Sequence, residues 1–175
     1  MKLIKNKIWF APTDLSQFYA SPFASWMKHY QLQNPHEKFE VVSDPTMELL
    51  AKRGNEHELK YLDYLKSENK NIIEINKNGN VEQAAIDTIN ALKAGPDIIY
   101  QGAFIKDNFS GYSDFLIKVT TPSKLGNYSY EVLDTKLALS AKPEYILQLS
   151  CYSEMLADLQ GKSPENISIV LGDNS

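Results

Sequence analysis

The sequence of 175 residues predicts an α/β fold, a central mixed β-sheet flanked by helices. Three observations carry that expectation. Apolar residues recur at helical spacing through the N-terminal third. Three strand-like runs then follow one another between Asp97 and Leu139, and a helix and a last strand close the order. Strands joined by short turns pair antiparallel, whereas a strand–helix–strand unit returns parallel, so such a sheet is mixed. The length suits one domain, residues 1–175, with a core of its own.

The elements follow in chain order. "APTDLSQFYASPFASWMKHYQL" reads as helix, with Thr13 as a cap for a first turn and Ser21-Pro22 as a fresh N-cap with Pro at the first helical position. Phe23, Trp26, Met27 and Tyr30 form an aromatic stripe expected to lie in the core or against a neighbour. "NPHEKFEVVSDP" is a polar connection, with a short extended piece at Phe39, Val41 and Val42. "TMELLAKRGNEHELKYLDYLKSEN" is a long helix whose apolar stripe runs Met47, Leu50, Gly54, Tyr61, Leu65. At about 100° per residue, His57 and Glu58 fall roughly 50° to either side of that stripe, so either can face a neighbouring element. Gly54 costs about 1 kcal/mol in a helix interior, which predicts a close approach there.

"NIIEINK" is a short strand, followed by an "NGN" turn and the helix "VEQAAIDTINALKAG". Asn80 and Gln83 give that helix a capping-box-like start, and Gly95-Pro96 stops it. "DIIYQGAFI" and "FSGYSDFLIKVT" read as a hairpin turning at Lys106-Asp107-Asn108, and "YSYEVLDTKLAL" as the third strand of the run. Pro143 opens a helix that ends at Gly161, and "NISIVLG" is the final strand. The chain stops just past it, which predicts a further domain or partner beyond Ser175, with this chain as the N-terminal part of a longer protein.

Composition excludes several classes. Hydrophobic residues are 43% and charged residues 23%, ordinary globular usage rather than a disordered or membrane chain. The net charge of −4 argues against holding nucleic acid by bulk positive charge, though bound cations and local lysines can replace it at a site. The single cysteine, Cys151, cannot build a disulfide framework or a cysteine-ligated cluster, and is expected to be buried and structural. No run is long and apolar enough for a signal peptide or a membrane span, which makes a cytoplasmic protein with no membrane partner the expectation. Lys2, Lys5 and Lys7 are expected to form a solvated terminus, and His29 and His36 to be surface residues.

The chemistry concentrates in "YEVLDTKLA". Alternation places residues 130, 132, 134 and 136 on one side of a strand, so Asp134 and Lys136 project together from an otherwise apolar face. Buried charges are costly unless paired or bound, so this is either an ion pair at a sheet edge or a site. Asp114 lies on the neighbouring strand and Glu58 can face inward from the long helix. Converging carboxylates are hard oxygen ligands suited to Mg²⁺ or Mn²⁺.

"GYSDFL" followed by "LDTK" resembles the core motif of the PD-(D/E)XK nuclease superfamily, and within it the RecB-like nucleases. "RGNEHE" is similar to the family's Gly-x-x-x-Glu/His helix motif through Gly54 and Glu58, and "QLSCY" to its Gln-x-x-x-Tyr motif through Gln148 and Tyr152. The resemblance covers the chain from about residue 10, apart from the insert between the first core helix and the sheet. It implies a restriction-endonuclease-like αβββαβ core and a Mg²⁺- or Mn²⁺-dependent deoxyribonuclease in DNA repair or processing. It makes Asp114 and Asp134 metal ligands, Glu58 a further ligand, and Lys136 the catalytic lysine. The Thr135 carbonyl completes the shell, with His57 as a second-ranked ligand. Gln148 and Tyr152 orient DNA or brace the site. Ser21 stands where iron–sulfur members of the family carry a cysteine, so no iron–sulfur cluster is expected. The competing expectation is a catalytically weak nucleic-acid-binding or scaffolding module of a larger protein.

Overall fold

The structure, a computed structural model, describes residues 1–4, 6–37, 44–77 and 80–172. The expected extended piece at Phe39, Val41 and Val42, the Asn78-Gly79 turn and Lys5 lie outside the described residues. A short hairpin, β1 (Lys2–Ile4) and β2 (Lys7–Trp9), opens the chain, and three helices follow: α1 (Pro12–Ala20), α2 (Pro22–Gln33) and α3 (Pro45–Ser67). The remainder is β3 (Ile72–Glu74), α4 (Val81–Ala94), β4 (Ile98–Lys106), β5 (Phe109–Val119), β6 (Ser129–Thr135), α5 (Pro143–Gln160) and β7 (Ile167–Val170).

Strands β3 to β7 form a five-stranded sheet in sequence order. It is mixed as expected: β3 and β4 are parallel across α4, β4–β5–β6 are antiparallel, and β6 and β7 are parallel across α5. One face carries Ile99, Ala103, Leu116, Tyr130 and Val132, packed under Leu92 of α4 and Leu149 and Leu156 of α5. The other carries Ile98, Phe115 and Leu133 under Leu62 and Leu65 of α3. The central strands β4, β5 and β6 therefore bury residues on both faces.

Local signals set the boundaries. The Asn80 side chain caps α4 by accepting from Gln83 N–H at 2.7 Å, and Gly95 (φ 71°) and Gly161 (φ 64°) end α4 and α5 in the left-handed region. Ser21 caps α2 as expected, its hydroxyl accepting from Ala24 N–H at 3.1 Å. Thr13 does not cap α1: the N-cap is Ala11, Pro12 opens the helix, and Asp14 accepts the Ala11 N–H at 2.9 Å. The carboxylate is the stronger acceptor at that end of the helix dipole.

Three further expectations change. Nothing lies within 4 Å of a Cβ placed on Gly54, so that glycine marks no close approach. The apolar stripe of α3 is buried only at its C-terminal half, because Met47 and Leu50 extend past the sheet and are 62% and 47% exposed. The aromatic stripe of α2 is not core: Phe23 and Trp26 are exposed and stack on each other at 6.1 Å, and Trp26 stacks on Tyr30 at 5.4 Å. The third strand also ends earlier than the sequence suggests, at Thr135, because β7 stops at Val170. Cys151 is half-buried rather than enclosed. Among the described residues, no helix is long and apolar enough to cross a membrane.

Candidate active site

Two strands part where the acids sit. The β5–β6 ladder runs from Val119 opposite Ser129 to Phe115 opposite Leu133 and ends there, one residue short of Asp114 and Asp134. β6 continues alongside β7, with Asp134 opposite Ile169 and Thr135 opposite Val170, while β5 continues alongside β4. Asp114 and Asp134 thus flank a fork in the sheet. Alternation puts Asp134 on the face of Tyr130 and Val132, the α5 side, and the Thr135 amide brings Asp114 up to it from the neighbouring strand. β6 lies between β5 and β7, so Asp134 and Lys136 are not an edge-strand pair.

Asp134 is 4% exposed. Lys136 forms an ion pair with its Oδ2, and that buried oxygen accepts no well-aligned hydrogen bond. The Lys136 ammonium also lies 5.5 Å from the centre of the Tyr145 ring at the start of α5, a cation–π contact that keeps the side chain over the fork. Thr135 N–H donates to Asp134 Oδ1 at 3.1 Å and to Asp114 Oδ2 at 3.4 Å. One backbone amide therefore faces both carboxyls.

The two aspartates stand within hydrogen-bonding reach of each other. Burial, above all, raises the Asp114 carboxyl well above the ordinary carboxylate range. The hydrogen bond and charge of Asp134 and the charge of Glu58 add to that rise, and Lys136 offsets part of it. The same burial and neighbouring charge favour the protonated form of Asp114 in the absence of a cation.

Glu58 comes from α3, the layer on the opposite face. Tyr100 hydroxyl donates to its Oε1 at 2.6 Å, and Gln101 Nε2 donates to the same oxygen. Burial, then the bond to Glu58 and its charge, hold the Tyr100 phenol well above the usual tyrosine value, so it stays a donor. The sequence reading missed Tyr100 and Gln101. A tyrosine beside a glutamine in an apolar strand looks like ordinary patterning, and nothing local reveals a partner 42 residues upstream.

His57 is buried with its Nε2 unpartnered. Tyr152 is buried at 4% exposure and packs 5.9 Å from the Phe104 ring. Burial, followed by the charges of Asp114 and Asp134, raises its phenol, and the Tyr112 backbone offsets part of that rise. Tyr152 thereby ties α5 to β5 just upstream of Asp114. Gly111 makes the contact possible: a Cβ there would meet the Tyr152 hydroxyl at 2.7 Å and Pro12 Cδ at 3.0 Å. Gln148 is half-buried, one turn earlier on the same helix.

Among the described residues, no three His, Cys, Asp or Glu side chains stand together as a metal-ligand group. The pair that does stand together is Asp114 and Asp134, and its chemistry suits a hard divalent cation: two crowded carboxyls and a buried Asp134 oxygen lacking a well-aligned donor. Mg²⁺ often takes only one or two protein carboxylates and keeps its waters. No known protein family, curated protein or solved structure matches the chain.

Proposed function

We propose that the protein is a Mg²⁺- or Mn²⁺-dependent deoxyribonuclease with a restriction-endonuclease-like core of the RecB-like kind. The observation that carries this reading is the buried Asp114–Asp134 pair at the fork with Lys136 against it. Two carboxyls placed to repel each other are an expensive arrangement for a purely structural protein, and a divalent cation relieves it. The order α3, β4, β5, β6, α5, β7, with β3 and α4 as the insert, supports the same core.

In this reading Asp114 and Asp134 would hold the cation through their carboxylate oxygens. Glu58 would be a further ligand, directly or through water, and the Thr135 carbonyl and His57 would be the further candidates. When bound, the cation supplies an acidified water and charge stabilisation at the scissile phosphate. Lys136 balances Asp134 in the resting site, and its ammonium neutralises the phosphate or positions the attacking water. Tyr152 braces the β5 strand from which Asp114 projects, and Gln148 is the neighbouring contact for DNA.

A single observation favours a different reading. The described residues lack a three-ligand group, as expected of a nucleic-acid-binding or scaffolding module with little activity. One experiment separates the two: cleavage of single- and double-stranded DNA with Mg²⁺ or Mn²⁺, alongside Asp134→Ala and Lys136→Ala. The nuclease reading requires turnover in the parent and a loss of about 100-fold or more in each variant. Salt-sensitive DNA binding without metal-dependent turnover supports the binding module. An Asp134→Ala protein that cuts as fast as the parent overturns the mechanism.

A further inference from the structure

Gln101 occupies the wrong side of its own strand. In β4, Ile99 and Ala103 face the α4–α5 layer, while Ile98 and Tyr100 face α3. Strict alternation assigns Gln101 to the side of Ile99 and Ala103, away from α3. Its side chain nevertheless reaches Glu58 of α3, as that of Tyr100 does. Two consecutive residues of a regular strand cannot do this. The backbone resolves the conflict: Gln101 has φ 58°, in the left-handed region, in the interior of the strand. The ladder skips it, with Tyr100 opposite Phe115 and Gly102 opposite Ser113, so the missing pair is Gln101 and Asp114.

We infer that Gln101 is a positioning residue that holds Glu58 in the site, and that its strained backbone is retained for that contact. Glutamine rarely adopts positive φ, and glycine would do so at no cost. A side chain that is 3% exposed and donates to a buried-side carboxylate explains why glutamine stands there instead. Both donors meet at Oε1, so the carboxylate plane is set and Oε2 accepts no hydrogen bond from the described residues. The same backbone turn opens the ladder opposite Asp114, so one distortion serves two carboxylates. The inference deepens the proposed nuclease reading and rests on it for what Glu58 is positioned to do; the contact itself does not depend on that reading.

The test uses Gln101→Gly and Gln101→Ala, which both delete the carboxamide, while only glycine accepts the backbone. Urea unfolding of metal-free parent, Gln101→Gly, Glu58→Ala and the double variant forms a cycle that isolates the contact. Mn²⁺ titration follows by calorimetry. The expected results are a coupling of about fivefold in the unfolding constant, a higher melting temperature for Gln101→Gly than for Gln101→Ala, and Mn²⁺ binding about 10-fold weaker in Gln101→Gly. Additive effects in the cycle overturn the inference. So does Mn²⁺ binding unchanged in Gln101→Gly, which would make the residue merely structural. A parent that binds no Mn²⁺ but shows the coupling leaves Gln101 as the residue that positions Glu58 and removes the nuclease reading instead.

Discussion

Replacing Asp114 with asparagine is expected to stabilise the metal-free protein while removing its metal site. Asparagine keeps the shape of the acid, and its amide N–H can donate to Asp134 without carrying a charge. The direction follows from linkage. The folded-state pKa of Asp114 is raised above its unfolded value. The stability from that proton is therefore fully present below the unfolded value, about 3.9, and is lost as pH rises through the folded value. At neutral pH the parent must either hold a proton against solvent or ionise beside Asp134; the variant does neither. A buried, imperfectly satisfied polar group of this kind costs about 1–2 kcal/mol. At about 2–4 °C per kcal/mol for a chain of this size, Asp114→Asn should melt roughly 2–8 °C above the parent at pH 7.5. The assay is thermal unfolding in EDTA across pH 4 to 8, followed by Mn²⁺ titration at the upper pH. The gain should shrink toward pH 4, and Mn²⁺ binding should vanish in the variant. A variant that melts below the parent at pH 7.5, or by a difference that ignores pH, would show that Asp114 carries no proton linkage and sink the account of the site.

Other outcomes test the surrounding frame. Gly111→Ala should cost about 1–3 kcal/mol in urea unfolding, because the new methyl meets the Tyr152 hydroxyl and Pro12; Gly111→Ala with Tyr152→Phe should recover part of the loss. Gln160 is fully enclosed, donates to the carbonyls of Tyr130 and Lys162 and accepts the Tyr130 N–H. Gln160→Ala should therefore destabilise by about 2–4 kcal/mol, seen as a lower urea midpoint. Phe23→Ser and Trp26→Ser should each change stability by less than about 0.5 kcal/mol, since both rings are exposed; a larger loss would mean that the α2 stripe is covered in solution.

Particular residues show why some features were legible and others were not. The caps at Ser21 and Asn80 and the stops at Gly95 and Gly161 act within one helical turn, so residue type alone reveals them. The hairpin at Asp107-Asn108 and the succession β4–β5–β6 were readable because short turns force neighbours to pair. Thr13, Gly54 and the α2 aromatics misled for the opposite reason. Their periodicity and propensity are genuine, but the partner that would use them is absent at that place in the described structure. The two strands of the β1–β2 hairpin, three residues each, are too short to show alternation.

By itself the sequence determined the α/β class, the mixed character of the sheet and the shared side of Asp134 and Lys136. Each depends on spacing along one strand, one helix or one turn. Only the tertiary structure decided that β5 and β6 part beside Asp114 and Asp134, that burial and mutual repulsion raise the Asp114 carboxyl, and that Gln101 turns across its strand to reach Glu58. Desolvation and contact between distant elements arise when layers pack, and no local pattern encodes which carboxyl will be left beside another.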